Sequence, residues 1–185
     1  MTANKYLQKA TVILCAAVIM FILHGCRKET PSIAEEGLVI QLGVGVGPVK
    51  FGMSKEQVTE YLGEPDKIEG TGQGLNYVAS KGISLLVSPT RGVMAIDCWS
   101  ENYPLGTVSN FAGKTKEGIG MNAGRAEIVA AYGEPDRTSS NGPLTTLHYG
   151  KLQTQFALMR DKLVNLKMNA RRQVSNPSFN PPKRG

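Results

Sequence analysis

The chain contains few of the side chains that enzymes and metalloproteins most often use for chemistry. Among its 185 residues are two histidines, three cysteines and one tryptophan, and aromatic residues make up 6% of the sequence. After residue 25, the only histidine is His148 and the only cysteines are Cys26 and Cys98. They form neither a metal-ligand spacing nor a nucleophile–base pair. The sequence therefore predicts no metal site, no cofactor and no catalytic residues.

The sequence also lacks an apolar run long enough for a typical transmembrane helix. The N-terminal run, residues 10–23, has fourteen residues, whereas a helix that crosses the hydrocarbon core needs about 20. Lys5 and Lys9 precede this run, and no acidic residue occurs before residue 26. A basic start followed by a short apolar stretch is typical of a secretory signal peptide. We therefore expect residues 1–25 to be a signal peptide.

The end of this segment resembles the lipobox of bacterial lipoproteins, in which small residues precede a cysteine that receives lipid. Leu23, Gly25 and Cys26 match the pattern, and His24 departs from it where a small residue is usual. The resemblance implies cleavage between Gly25 and Cys26 and a lipid anchor on Cys26 that attaches the chain to a membrane. Arg27 after the cysteine, in place of Asp, implies the outer membrane, facing the periplasm. An uncleaved anchor and ordinary signal cleavage are the alternatives.

Positive charge is concentrated at the two ends of the chain. The net charge is +6, yet residues 26–168 are neutral overall and residues 169–185 contain four basic residues and no acidic one. A surface that binds nucleic acid needs basic residues clustered on one face, so we expect no nucleic-acid partner. The C-terminal segment 169–185, which is rich in Pro and Asn and lacks periodicity, is expected to be a disordered basic tail.

Two stretches of the chain share one pattern at an offset of about 70 residues. The Gly-Met pair at 52–53, the Gly-Glu-Pro-Asp motif at 63–66, and the apolar-alternating segments at 75–77 and 93–98 recur at 120–121, 133–136, 147–149 and 163–168. The offset between corresponding segments stays within two residues of 70. This regularity predicts two copies of one supersecondary unit.

Each copy is predicted to begin with a short helix. In the first copy, Ser54 is a candidate N-cap with Gln57 three positions later, which forms a capping box. Gly63 and Pro65 end the helix, because glycine accepts a positive φ and proline does not continue a helix. Val58 and Leu62, together with Tyr61, form an apolar stripe that is expected to dock onto a sheet.

The helix of each copy is followed by period-two alternation, which predicts three antiparallel strands. The resulting fold class is α+β, with two tandem helix-plus-meander repeats and with the helices packed on one face of the sheet or sheets. The predicted boundaries are 1–25 for the signal peptide, 26–47 for a tether and lead-in strand, 48–100 for the first repeat, 101–117 for a linker, 118–168 for the second repeat and 169–185 for the tail.

The first copy carries Gly52-Met53-Ser54, Gln57-Val58, Gly63-Glu64-Pro65 and a Gly-Val-Met-Ala-Ile-Asp hairpin at 92–97. In these motifs it resembles the SmpA/OmlA or BamE-like small lipoproteins of the outer-membrane barrel assembly machine. The second copy keeps its Gly-Met and Gly-Glu-Pro motifs with two extra residues between them. The tandem is also similar to the beta-lactamase inhibitor proteins, whose two related repeats form one broad concave sheet. These resemblances imply a fold more safely than an activity.

Three residues near the end of the first copy are predicted to contact a partner: Asp97, Trp99 and Tyr103. Strand alternation places Asp97 and Trp99 on the face opposite Cys98, which is predicted to be a buried apolar residue. Large rigid aromatic side chains lose little conformational entropy when a partner covers them, and they are enriched at binding hot spots.

Three functions follow from these observations. The leading one is a non-enzymatic, lipid-anchored envelope protein that acts as a scaffold or binding module for another envelope protein. The alternative is an inhibitor or immunity-like protein that blocks a secreted enzyme. A third, an enzyme that uses the acids of both Gly-Glu-Pro-Asp motifs, requires the two loops to face each other.

Overall fold

The computed structural model describes residues 38–104 and 106–171. The predicted signal peptide, the lipidation site at Cys26, most of the tether and nearly all of the tail lie outside these residues. The described helices are α1 (Lys55–Leu62), α2 (Val78–Lys81) and α3 (Arg125–Tyr132), and none of them is long and apolar enough to cross a membrane. The strands are β1 (Val39–Gln41), β2 (Gly45–Val46), β3 (Val49–Lys50), β4 (Lys67–Glu69), β5 (Gly74–Tyr77), β6 (Ile83–Ser88), β7 (Gly92–Trp99), β8 (Lys114–Thr115), β9 (Arg137–Asn141), β10 (Leu144–Tyr149), β11 (Thr154–Met159) and β12 (Lys162–Asn169).

The fold is mostly β, and the predicted α+β class, with helices packed over one face of a sheet, is wrong. One antiparallel sheet has eight strands in the order β4-β5-β6-β7-β12-β11-β10-β9. A second sheet has four short strands in the order β3-β2-β1-β8, with β1 and β8 parallel. The helices contribute little, because α1 buries only Val58 and Leu62 and α3 buries only Ile128. Tyr61 of the predicted stripe remains 39% exposed.

The sequence patterns missed the outer strands and the second sheet for a common reason. Strands β4 and β9 are fully exposed, so they show no apolar alternation. Strands β1, β2, β3 and β8 have two or three residues each, which is too short for periodicity to be visible. Each half of the large sheet therefore has four strands where three were predicted, and part of the predicted linker at 101–117 forms β8.

The two halves of the large sheet have the same order of strands and meet at their last strands, and the first half has the additional short helix α2. Strand β7 pairs with β12, and in this pairing Asp97 lies opposite Lys167. Before α1 and before α3, the main chain forms the same hydrogen bond with the start of the last strand of its half. The amide of Gly52 donates to the carbonyl of Val93 at 3.0 Å, and the amide of Asn122 donates to that of Leu163 at 2.9 Å. Both residues of this second pair lie 70 positions after those of the first.

The hydrophobic core lies on one face of the eight-stranded sheet, which we call the inner face. Apolar side chains from the second sheet and from both longer helices belong to the same cluster. Phe111 also belongs to it and is 1% exposed, although it lies in the predicted linker. The largest fully buried side chains are Tyr77, Phe111, Phe156, Ile40, Leu75, Ile83, Ile96, Ile128, Leu147, Leu158, Leu163 and Leu166.

Candidate interaction surface

The opposite face of the large sheet, the outer face, carries a continuous row of polar side chains. Residues that lie directly opposite each other on neighbouring strands point to the same face. One such row crosses all eight strands, and we call it the transverse row. Its members, in order, are Lys67, Asn76, Ser84, Asp97, Lys167, Gln155, His148 and Arg137. The six members between the two ends of the row are half-buried, and Lys67 and Arg137 at its ends are exposed.

The centre of the transverse row is the seam between the two halves. Nζ of Lys167 lies 3.6 Å from Oδ2 of Asp97, whose side chain is 17% exposed. Burial raises the pKa of Asp97, and the charge of Lys167 together with hydrogen bonds from Asn165 and Lys167 offsets this only in part. The two charged residues occupy equivalent positions of the repeat, since they lie 70 residues apart. The duplication therefore places unlike charges where identical copies would place like charges against each other.

Asp97→Asn is expected to leave the free energy of unfolding at pH 7 unchanged or higher, because burial disfavours the ionised carboxylate. A raised pKa means that the folded chain binds the proton more tightly than the unfolded chain does. The Asp97 contribution to stability therefore increases as the pH falls from the raised pKa toward 3.8, and the variant lacks this increase. Urea unfolding of both proteins between pH 4 and pH 8 measures the difference.

The matched variant for this measurement is Lys167→Met, which leaves the buried carboxylate without its cation. We expect it to lower stability at pH 7 by about 1–2 kcal/mol. An Asp97→Asn variant that is clearly less stable than the natural chain at pH 7, by about 1 kcal/mol or more, would contradict the assigned direction of the pKa shift.

Trp99 and Tyr103 form an aromatic pair next to this seam. Their ring centroids are 4.7 Å apart with the planes at 76°, and the indole Nε1 donates to Oγ of Ser84 at 3.0 Å. The main chain also fixes the position, because the carbonyl of Trp99 accepts from the amide of Phe111 at 2.9 Å. Both aromatic side chains are half-buried, so each has a fixed orientation and remaining accessible surface. Asp97 and Trp99 lie on the outer face, and their role in binding stays a prediction.

The far end of the transverse row contains a group that the sequence analysis did not single out. Nε2 of His148 lies 2.8 Å from Oγ of Ser139 and 3.5 Å from Nη2 of Arg137. Partial burial lowers the pKa of His148, and the neighbouring Arg137 lowers it further. The lowered pKa favours the neutral form of His148, and Arg137 supplies the positive charge of this group. No sequence motif links Arg137 and Ser139 to His148, because only the register of β9 against β10 brings them together.

Cys98 lies on the inner face and is fully buried, as the strand alternation predicts. Burial, with a smaller contribution from the charge of Asp97, raises the pKa of the Cys98 thiol. A buried thiol with a raised pKa is a poor nucleophile. Cys98 is therefore a packing residue.

The two Gly-Glu-Pro-Asp loops do not face each other. They lead into β4 and β9, which are the opposite edges of the eight-stranded sheet. Each aspartate instead holds its own loop. Oδ2 of Asp66 accepts from the amide of Ser80 at 2.9 Å, and Oδ2 of Asp136 accepts from the amide of Gly150. The arrangement required for joint acid–base chemistry is therefore not formed.

A cleft at the beginning of α1 lies between the loop at 71–73 and the turn at 88–92. Lys55 and Arg91 lie on its wall. The helix N-terminus is already capped from within the chain, because Oγ of Ser54 accepts from the amide of Gln57 at 3.3 Å and donates to Glu56 at 2.6 Å. Among the described residues, no group of three or more His, Cys, Asp or Glu side chains is arranged to hold a metal ion.

Comparison with known proteins adds two distant structural similarities. No protein-family model and no curated protein sequence matches the chain. A DUF4309 family protein, YjgB from Bacillus subtilis, has 12% identity and a TM-score of 0.46, over 75% of this chain and 90% of that one. An extracellular protein containing an SCP domain, from Bacillus anthracis, has 11% identity and a TM-score of 0.42, over 79% of this chain and 50% of that one. The resemblance to BamE-like lipoproteins stays a prediction.

Proposed function

We propose that the chain is a lipid-anchored protein of the bacterial cell envelope that binds another envelope protein through the outer face of its large sheet. The observation that carries this proposal is the composition of that face. It presents polar side chains across all eight strands and an oriented aromatic pair, Trp99 and Tyr103, beside its centre. Interfaces of protein complexes combine a few aromatic anchors with a polar surround in this way.

The envelope location in this proposal rests on the N-terminal sequence. A basic start, a short apolar run and the sequence Gly25-Cys26 support export and lipidation at Cys26. Arg27 supports the outer membrane, with the chain facing the periplasm. The proposed function is non-enzymatic, and it assigns to Asp66 and Asp136 only the role of holding their own loops.

Lipidation predicts that the mature protein begins at an acylated Cys26 and stays with the membrane fraction. Mass spectrometry of the N-terminal peptide measures the cleavage site and the mass of the attached lipid. Cys26→Ser is expected to release the chain from that fraction, because the attachment depends on the acyl chains. An unmodified Met1 or a free Cys26 thiol in the mature protein would remove the lipoprotein proposal.

Trp99→Ala is expected to weaken capture of the partner about tenfold or more, because buried aromatic anchors contribute most to binding at such interfaces. Crosslinking in intact cells, followed by identification of the attached proteins, measures capture. Tyr61→Ala is the matched control, since Tyr61 is an exposed aromatic residue on α1 and lies away from the outer face. Equal recovery with Trp99→Ala and Tyr61→Ala, with both variants folded, would reject the role of the outer face.

The alternative function is an inhibitor or immunity-like protein that blocks a secreted enzyme. It is favoured by one observation, namely that the two halves form a single continuous eight-stranded sheet and so offer one broad surface. This alternative predicts a stable one-to-one complex with a soluble enzyme, whereas the leading proposal predicts crosslinks to membrane-associated proteins. The identity of the crosslinked protein separates the two.

A further inference from the structure

The two edges of the eight-stranded sheet differ in length and in charge balance. Edge strand β4 has three residues, and its Lys67 Nζ lies 3.4 Å from Oε1 of Glu69, which also accepts from Asn76 at 3.2 Å. Edge strand β9 has five residues, all exposed, with no proline and no acidic residue. Short edge strands and charges protect a sheet against addition of another strand. The β9 edge is longer and carries Arg137 as its one charged residue.

Arg137 has no acidic partner among the described residues, in which the ion pairs are Lys67–Glu69 and Lys167–Asp97. The outer-face side chains near it on β9, β10 and β11 are neutral. They are Ser139, Asn141, Leu144, Thr146, His148, Gln155, Ala157 and Met159. Arg137 and Lys67 occupy equivalent positions in the two halves, 70 residues apart. Within the described part of the chain, Lys67 is paired with Glu69 of its own strand, whereas Arg137 has no such partner and is available to a carboxylate.

We propose that β9 pairs with an extended segment of the partner protein, which adds as a further strand, and that a carboxylate side chain of this segment binds Arg137. The inference rests on the proposed protein-binding function and specifies the chemistry of the partner. In strand addition, main-chain hydrogen bonds supply affinity and side-chain contacts supply specificity. A guanidinium group suits the second role, because it binds a carboxylate through two parallel hydrogen bonds.

The test uses a synthetic ten-residue peptide of alternating Glu and Thr, and a control peptide of alternating Lys and Thr, each titrated into the mature chain. The acidic peptide is expected to slow hydrogen exchange of the β9 amides and to leave β4 unchanged. Arg137→Glu is expected to weaken its binding about tenfold or more and to reverse the preference toward the basic peptide. Lys67→Glu, at the equivalent position of the other edge, is the matched control and should change binding less than about twofold.

Equal effects of Arg137→Glu and Lys67→Glu, or protection confined to β4, would overturn the inference. So would concentration-dependent dimerisation through β9 that Arg137→Glu does not alter, because the occupant of the edge would then be a second copy of the chain. Failure of the acidic peptide to bind would overturn this inference but would not affect the proposed protein-binding function. The proposed function is decided separately, by Trp99-dependent capture of an envelope protein.

Discussion

Phe156→Ala is expected to lower the free energy of unfolding by about 3–5 kcal/mol, as truncation of a buried aromatic residue does. Phe156 is fully buried on β11. Its ring centroid lies 5.5 Å from that of Tyr132, which stacks on it, and 5.5 Å from that of Tyr149, which meets it edge-on. Alanine would leave a cavity on the inner face and remove both aromatic contacts.

The effect is expected to be large because these tyrosines connect Phe156 to three parts of the fold. Oη of Tyr132 on α3 lies 2.6 Å from Oγ1 of Thr115 in the second sheet, and it donates to Oε2 of Glu117 at 2.8 Å. Oη of Tyr149 on β10 donates to the carbonyl of Gly133 at 2.9 Å. A loss of this size is a large fraction of the roughly 5–15 kcal/mol by which a domain is stable. Urea unfolding measures it, together with the near-ultraviolet circular dichroism of the tyrosines.

Leu86→Ala is the control for this measurement, since Leu86 is 47% exposed on the outer face of the neighbouring half. We expect this variant to stay within about 0.5 kcal/mol of the natural chain. A Phe156→Ala variant that loses less than about 1 kcal/mol would show that the aromatic cluster does not pack as described.

Gly92→Ala is expected to lower the free energy of unfolding by about 3 kcal/mol. Gly92 begins β7 with a φ of 66°, a conformation that residues with a side chain adopt at a cost. A Cβ atom at this position would lie 2.2 Å from the carbonyl oxygen of Gly52 and 2.5 Å from that of Met53. These are backbone atoms, so the clash is relieved only if the chain before α1 moves away.

That movement would break hydrogen bonds that hold the first helix against the sheet. The amide of Gly52 donates to the carbonyl of Val93 at 3.0 Å, and the amide of Val93 donates to the carbonyl of Met53 at 2.8 Å. Gly142→Ala isolates the backbone strain, because Gly142 has a φ of 57° and no atom within 4 Å of a built Cβ. It should lose about 1 kcal/mol. Thermal and urea unfolding measure both variants. An equal loss of stability in the two would show that the proposed clash at Gly92 does not contribute.

The parts of the fold that were predicted correctly depend on local chemistry. The capping box of Ser54 and Gln57 forms as predicted, with the Ser54 amide 2.9 Å from Oε1 of Gln57. Alternation also placed β5, β6, β7, β10, β11 and β12, because one face of each is buried. The fold class was wrong because two short helices with clear end signals suggested more helical packing than the chain contains. Phe111 was missed because an isolated aromatic residue in a polar loop has no periodic partner.

The positions of the residues on the candidate surface were likewise predicted only in part. Alternation along β7 was sufficient to put Asp97 and Trp99 on the face opposite Cys98. It gave no information on Lys167, because the partner of Asp97 is fixed by the register between strands that lie far apart in the chain. The group of Arg137, Ser139 and His148 depends likewise on pairing between β9 and β10. Such pairing decides which side chains become neighbours, and it leaves no mark in composition or spacing.

The amino-acid sequence by itself determined where the two longer helices end and where most of the strands lie, and it predicted the repeat and, from its N-terminal pattern, export. The helix ends and the strands follow from interactions between residues close together in the chain, whereas the repeat and the export signal are patterns in the sequence itself. Only the tertiary structure decided that the halves form one eight-stranded sheet, that a second sheet packs with the core, and that the two edges differ in charge. These features arise because strand pairing and burial join residues that are distant in sequence, and their energies depend on the complete fold.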